Sequence, residues 1–460
     1  MKPTFIPLMA DFFAGLTLED LNGDVRERAK VCVLDAIASA CAGHRTEPVR
    51  IMTAITRAFS TSADRATVWF HGYETNYLFA AVANSMMVHN MIHDDTSQST
   101  RGHAGNLIVP AVLAAAEARE SSCREILPAV VIGYEAMARI ASPAVAYSVE
   151  RGFRSTANYG PFGVAAAFGK MLGLTGPELS QAIACAASFS LGLLEPFNVG
   201  SMEWRFQNSM VILGGAMAAL SAREGLRAAA TALEGDSGFL AAFCGREVKD
   251  QIAAAWMNES SSLGRKYDLS STFFKPYSTC GYNQIGCNIA LNLIERHHIT
   301  ADSIREIVVR VSPDNKAYPG VEFHGPFETP DGALLSKPFM LGAAVVTRDL
   351  QVETYQERLN DPEILRVARM VRMEADPSMG SMDTEIRFVT KDGQVHTGNL
   401  STADLGAFLL NRDTAVRKFH RMTDRHLGAE RADEIVDLVF RLEELKSPGE
   451  LTRRLGPEPR

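Results

Sequence analysis

The sequence predicts a mainly α protein: a large helical domain completed by the C-terminal helices, with a smaller α+β domain inserted. Three observations predict it. The first 265 residues read as one helix after another. The pattern turns β-branched and alternating past about Ser270. Helical periodicity then returns near the C-terminus. The expected boundaries are 1–268 plus 396–460 for the helical domain and 269–395 for the inserted one. A chain of 460 residues, 46% of them hydrophobic, holds ample material for two cores.

The early segments carry clear helix signals. DVRERAKVCVLDAIASACAG places Val31, Leu34, Ile37 and Cys41 on one face, with Gly43 as a stop. LTGPELSQAIACAAS opens with Thr175 and Glu178 at capping-box spacing and Pro177 in the first turn. AAAFGKMLG, AIACAAS and GGAMAALSA put small residues on buried faces, which lets helices approach closely. In the later block, IREIVVRVS reads as a strand, SKPFMLGAAVVTRDL as a helix, and EIRFVTKDGQVHTG as a hairpin turning at Asp392-Gly393. ADEIVDLVFRLEEL is again helical, with Ile435, Leu438, Val439 and Leu442 on one side.

Composition excludes several function classes. The net charge of -8 gives no electrostatic footprint for nucleic acid. No apolar run is long enough to span a bilayer, and Asp11 interrupts the N-terminal one, so neither a membrane span nor a secretory leader is expected. Seven cysteines with no C-x-x-C pair suit neither a disulfide framework nor a structural zinc site. These features together predict a cytoplasmic protein.

The densest polar cluster lies between two apolar helices: His89, His93, Asp94, Asp95, Thr96, Arg101 and His103. A rigid helix ending in such a loop is a common way to present catalytic groups. His89 and His93 stand at i, i+4, but position 90 is Asn where a zinc-protease pattern needs Glu, so no metal is expected. His89 reads as a buried, satisfied histidine, and His103 as the reactive one. Three further polar stretches lead into small-residue helices. Arg154 opens one, Arg205 another, and Lys275 with Cys280 a third, near the domain junction. Each read singly is equally a surface charge or a packed thiol; their recurrence favours a site between domains.

In order and spacing these segments resemble the MmgE/PrpD family, over most of the chain. The resemblance runs through NSMMVHNMIHDDT, the HAGN loop, Gly133-Tyr134-Glu135, GFRST, MLGLTGPEL, WRFQ, EGDSGF and KPYSTC. It implies a helical main domain, a lid domain, a site between them and a homodimer. It implies no cofactor, and chemistry at a carbon next to a carboxylate of a small di- or tricarboxylic acid. The implied catalytic residues are His103 as base, Lys275 as acid or enediolate stabiliser, and Asp94 or Asp95 orienting His103. The implied substrate-binding residues are Arg205, Arg154, Thr96, Cys280, Trp204 and Gln207. Five positions depart from the family pattern. Ile92 replaces an Asp, Arg154 a His, Trp204 a Lys, Gln207 a His and Phe339 a Tyr. The expected reaction is a 2-methylcitrate-dehydratase-like dehydration of an altered substrate. Epimerisation, decarboxylation and a non-catalytic carboxylate-binding role are the alternatives on the same scaffold.

Overall fold

A computed structural model describes residues 5–401 and 408–456. The first four residues of the N-terminal run read above lie outside the described residues.

The protein is mainly α, with a small α+β part. The helical body centres on Ser155–Met171, which packs against Ile126–Ala141 on one side and Trp204–Arg223 on another. Small residues make this possible. A Cβ on Gly163 would lie 2.7 Å from the Gly133 carbonyl oxygen, so these helices meet backbone to backbone. Gly23–Gly43 runs as one helix, capped by Asn22 accepting from the Val25 N–H. The capping box of Thr175 and Glu178 forms at the start of Gly176–Ala186.

One element of the body departs from the all-helical expectation. β1 (Arg65–Val68) and β2 (Tyr73–Asn76) form an antiparallel hairpin. At four residues per strand it is too short to show a clear alternation in the sequence.

The α+β part holds a four-stranded sheet in the order β4-β3-β5-β6: β3 (Ile304–Val311), β4 (Val371–Ala375), β5 (Thr384–Thr390) and β6 (Val395–Leu400). β3 pairs parallel with β4 and antiparallel with β5. β5 and β6 form the hairpin expected at Asp392-Gly393, with Val389 opposite Val395 and Gly393 at φ 87°. The helices Gly281–His297 and Lys337–Thr347 complete a second apolar core containing Ile307, Val309, Phe339, Ile386 and Phe388.

The chain then returns to the body. Ala415, Phe419, Ile435 and Val439 join the first core. Lys418, on helix Arg412–Leu427, is buried, pairs with Asp35 and donates to the His93 carbonyl at 2.9 Å. The C-terminal helices therefore hold the polar loop that follows His89. Among the described residues no helix is long and apolar enough to cross a membrane.

Candidate active site

A cavity of about 280 Å³ lies where the two cores meet. His89, Ile92, Thr96, Arg101, His103 and Arg154 line it from the body. Phe273, Cys280, Tyr282, Tyr318, Leu335 and Met382 line it from the other side. A larger, open concavity of about 2030 Å³ near β1 and the C-terminal helices is bordered by intermixed Arg and Glu side chains. It contains none of the predicted site residues.

The polar loop owes its shape to a few fixed points. Helix Tyr77–His89 ends at His89, so His93 does not continue its face and the i, i+4 pairing is lost. Ile92 takes φ 51°, a left-handed conformation that costs a β-branched residue about 1–3 kcal/mol. Backbone hydrogen bonds between Thr96 and Phe273, 2.9 Å in each direction, tie the loop to the segment that carries Lys275. Ser97 donates to Asp268 at 2.8 Å, and its N–H donates to the Gly102 carbonyl at 3.0 Å.

The buried cluster on the cavity floor has defined hydrogen-bond directions. His103 Nδ1 lies 2.6 Å from the Asp95 carbonyl oxygen, which only accepts. Nδ1 therefore carries the proton, and Nε2 carries the lone pair. Lys275 Nζ stands 3.3 Å from His103 Nδ1 and 3.5 Å from Asp94 Oδ1. Asp94 accepts from His89 Nδ1 at 2.7 Å and from Asn106 at 3.2 Å. On its other side, His89 Nε2 accepts from Arg154 at 2.6 Å.

Electrostatics follow from this packing. Burial, then the neighbouring Lys275 ammonium, holds His103 well below the usual imidazole range. Burial, with Arg154 and Lys275 against it, brings His89 down to about 4, despite Asp94. Both imidazoles are neutral at neutral pH. Burial alone would push Asp94 up, but His89, His103 and Lys275 outweigh it and keep the carboxylate ionised. Burial also lowers Lys275.

The atoms of His89, Asp94 and His103 lie within 4.8 Å of one another, a spacing compatible with a metal ion. The Lys275 ammonium, at 3.3–3.5 Å from two of the three, already supplies the cluster's positive charge. The donor set therefore fits an internal ammonium better than a metal.

Asp95 faces away from the cavity. It accepts from Tyr134 Oη at 2.6 Å and from the Gly105 N–H at 3.1 Å. Burial pushes its carboxyl up to about 7. A Cβ on Gly105 would lie 2.9 Å from Asp95 Oδ1, so this anchor requires glycine.

The remaining expected residues divide into two groups. Thr96 and Cys280 reach the cavity, Thr96 with its hydroxyl 3.1 Å from His103 Nδ1. Arg154 also reaches it and is buried, donating to the Trp204 carbonyl and to Asn208. Arg205 does not line the cavity. It pairs with Asp331 of helix Pro330–Leu335, donates to the Asn90 carbonyl at 3.0 Å, and lies over the Trp204 ring. Trp204 sits behind His89, edge to face at 5.2 Å. Gln207 lies outside the cavity lining, and Phe339 is buried among Phe327 and Tyr355.

Sequence reading assigned no role to Arg101, Asn106, Tyr282 or Tyr318. Asn106 belongs to the HAGN loop and was within reach of a sequence argument. The two tyrosines come from a different part of the chain, and no local pattern marks them.

Known proteins match this chain along most of its length. Residues 8–251 match the MmgE/PrpD N-terminal domain, and residues 277–443 match the MmgE/PrpD C-terminal domain. The cis-aconitate decarboxylase of Aspergillus terreus is 25% identical over 458 residues, covering 94% of this chain and 92% of that protein. The cis-aconitate decarboxylase of Homo sapiens is 25% identical over 465 residues, covering 97% and 93%.

Proposed function

The chain belongs to the MmgE/PrpD family, and we propose that it is a cofactor-independent lyase that decarboxylates a small carboxylic acid. The observation that carries this reading is the buried cluster of His103, Lys275 and Asp94 beneath a cavity open to His103 and Arg154. The sequence reading put dehydration first. Similarity along almost the whole chain to cis-aconitate decarboxylases favours the decarboxylase alternative.

Loss of carbon dioxide leaves an electron pair on the substrate. An adjacent carboxylate takes up that charge as an enediolate-like group, and a proton then replaces the carboxyl. The site must desolvate the leaving carboxylate, supply preorganised positive charge and deliver a proton. Ile92, Leu194, Phe197 and Leu335 form an apolar wall suited to the first task. Arg154 offers a fork for the retained carboxylate, and Lys275 adds charge from below. His103, with Nε2 unprotonated, presents a hydrogen-bond acceptor to the substrate in the cavity.

The substrate we propose carries fewer charges than a tricarboxylate. Two arginines line the cavity, Arg154 within and Arg101 in an exposed position. Arg205 is committed to Asp331. A dicarboxylate, one carboxylate lost and one retained, matches this supply.

The test is proton NMR in heavy water with a panel of mono-, di- and tricarboxylates, together with carbon dioxide detection. Carbon dioxide release with deuterium at the vacated carbon supports the reading. Alkene formation or loss without carbon dioxide assigns dehydratase chemistry, and exchange with inversion assigns an epimerase. Ligand binding without any turnover assigns a carboxylate-binding protein.

A further inference from the structure

His89 is fully enclosed yet lines the cavity, and its two ring nitrogens have opposite partners. Nδ1 donates to Asp94 at 2.7 Å, and Nε2 accepts from Arg154 at 2.6 Å. The imidazole is held between an anion and a cation, with the cation on the side that faces the substrate space. We propose that His89 is a catalytic proton donor, loaded when the substrate's carboxylate draws Arg154 off its Nε2. This rests on the carboxylate-lyase reading above and names the group that delivers the proton.

The driving force is a difference between hydrogen bonds. A guanidinium bound to a neutral imidazole gains less than one bound to a carboxylate, where both partners are charged and the fork is bidentate. An arriving carboxylate therefore outcompetes His89 for Arg154. With the cation turned away, Nε2 has a free lone pair and Asp94 stands behind the ring. Both changes favour the imidazolium.

The groups facing His89 are Asp94, Arg154, His103 and Lys275, with Trp204 as the apolar neighbour. In the unliganded protein the two cations and burial keep the ring neutral. A carboxylate beside Arg154 offsets one of them.

The proton balance closes. His89 takes one proton from solvent on binding. The carbon–carbon bond to the carboxyl breaks and its electron pair stays on the substrate. The N–H of His89 then breaks as the new C–H forms. Carbon dioxide and the protonated product leave, His89 is neutral, and Arg154 returns to Nε2. One proton is consumed per turnover, as decarboxylation of a carboxylate requires. His103, 4.6 Å away between ring centroids, keeps an unprotonated Nε2 and does not compete as the donor.

The test is calorimetric titration of the intact protein with succinate and methylsuccinate in buffers of different ionisation enthalpy, at about pH 6.5. The wild type is expected to take up about one proton per bound ligand. His89→Gln is expected to keep affinity within about tenfold and to lose the uptake. Long-range nitrogen NMR of the wild-type imidazoles, with and without succinate, reads the same protonation without a variant. Binding without proton uptake, or uptake that survives in His89→Gln, overturns the proposal and leaves the lyase reading intact. Failure of every carboxylate to bind overturns both. With a turned-over substrate, His89→Gln is expected to lower kcat by about 10²–10⁴-fold, with KM nearly unchanged.

Discussion

The ammonium of Lys275 stands 3.3 Å from Nδ1 of His103; the lysine is wholly removed from water and the imidazole is 15% exposed. The lysine comes from a segment 172 residues later in the chain than the histidine. Asp94 lies 3.5 Å from the same ammonium, so one buried cation pairs with the carboxylate and keeps the neighbouring imidazole neutral.

Replacing Lys275 by Met is expected to lower kcat by about 10²–10³-fold, the usual cost of removing one preorganised charge from a developing oxyanion. It also leaves Asp94 with no ammonium partner. A loss of about 3–5 kcal/mol in folding stability is therefore expected, read by urea denaturation.

The two adjacent aspartates are expected to behave differently. Asp94 joins the two histidines and the lysine, so Asp94→Asn should cost at least about 10²-fold in kcat. Asp95 holds Tyr134 and the Gly105 N–H away from the cavity. Asp95→Asn should cost less than about tenfold in kcat and roughly 1–2 kcal/mol in stability. Equal losses of activity from both variants would contradict this division.

Arg205 and Asp331 form a buried ion pair between the helical body and the α+β part. Either single replacement by a neutral residue strands a buried charge, and about 3–5 kcal/mol of destabilisation is expected. Arg205→Met combined with Asp331→Leu should recover most of that loss. A double-mutant cycle measures the recovery. A pair that binds substrate rather than joining the two parts would show its effect in KM, with stability unchanged.

The pH dependence of stability has a determined sign for His89. Its folded pKa is brought down to about 4, below the ordinary 6.5. The unfolded chain therefore takes up this proton first as the pH falls. The contribution of His89 is full above about pH 6.5 and is lost as the pH drops toward 4, by roughly 3 kcal/mol. Asp95 and Glu135, both pushed up to about 7 by burial, act in the opposite sense. Their contribution is present at low pH and lost as the pH rises to about 7. His89→Gln should remove about one proton of slope between pH 4 and 6.5, measured by urea titration at stepped pH.

Much of this was legible locally. The capping box at Thr175, the turn at Asp392-Gly393 and the helical tail all depend on neighbours within a few residues. The polar cluster from His89 to His103 marked the cavity because charged groups between apolar helices need partners. What escaped was set by distant pairing. Arg205 carries no local sign that Asp331, 126 residues away, takes its charge. His89 reads as a satisfied histidine, and it is one, but satisfaction by Arg154 and Asp94 also places it on the cavity wall. Ile92 in the left-handed region is a further case. Asp, the residue of the family pattern there, tolerates that conformation better than a β-branched side chain, and only the backbone reveals the strain.

The most direct test of the central claim is proton NMR of the wild-type protein in heavy water with the carboxylate panel, with carbon dioxide measured in the same samples. The predicted result is carbon dioxide release from a dicarboxylate, one deuterium at the vacated carbon, and loss of both signals in His103→Ala and Lys275→Met. Turnover of a carboxylate with no carbon dioxide, or carbon dioxide release undiminished in those two variants, would contradict it.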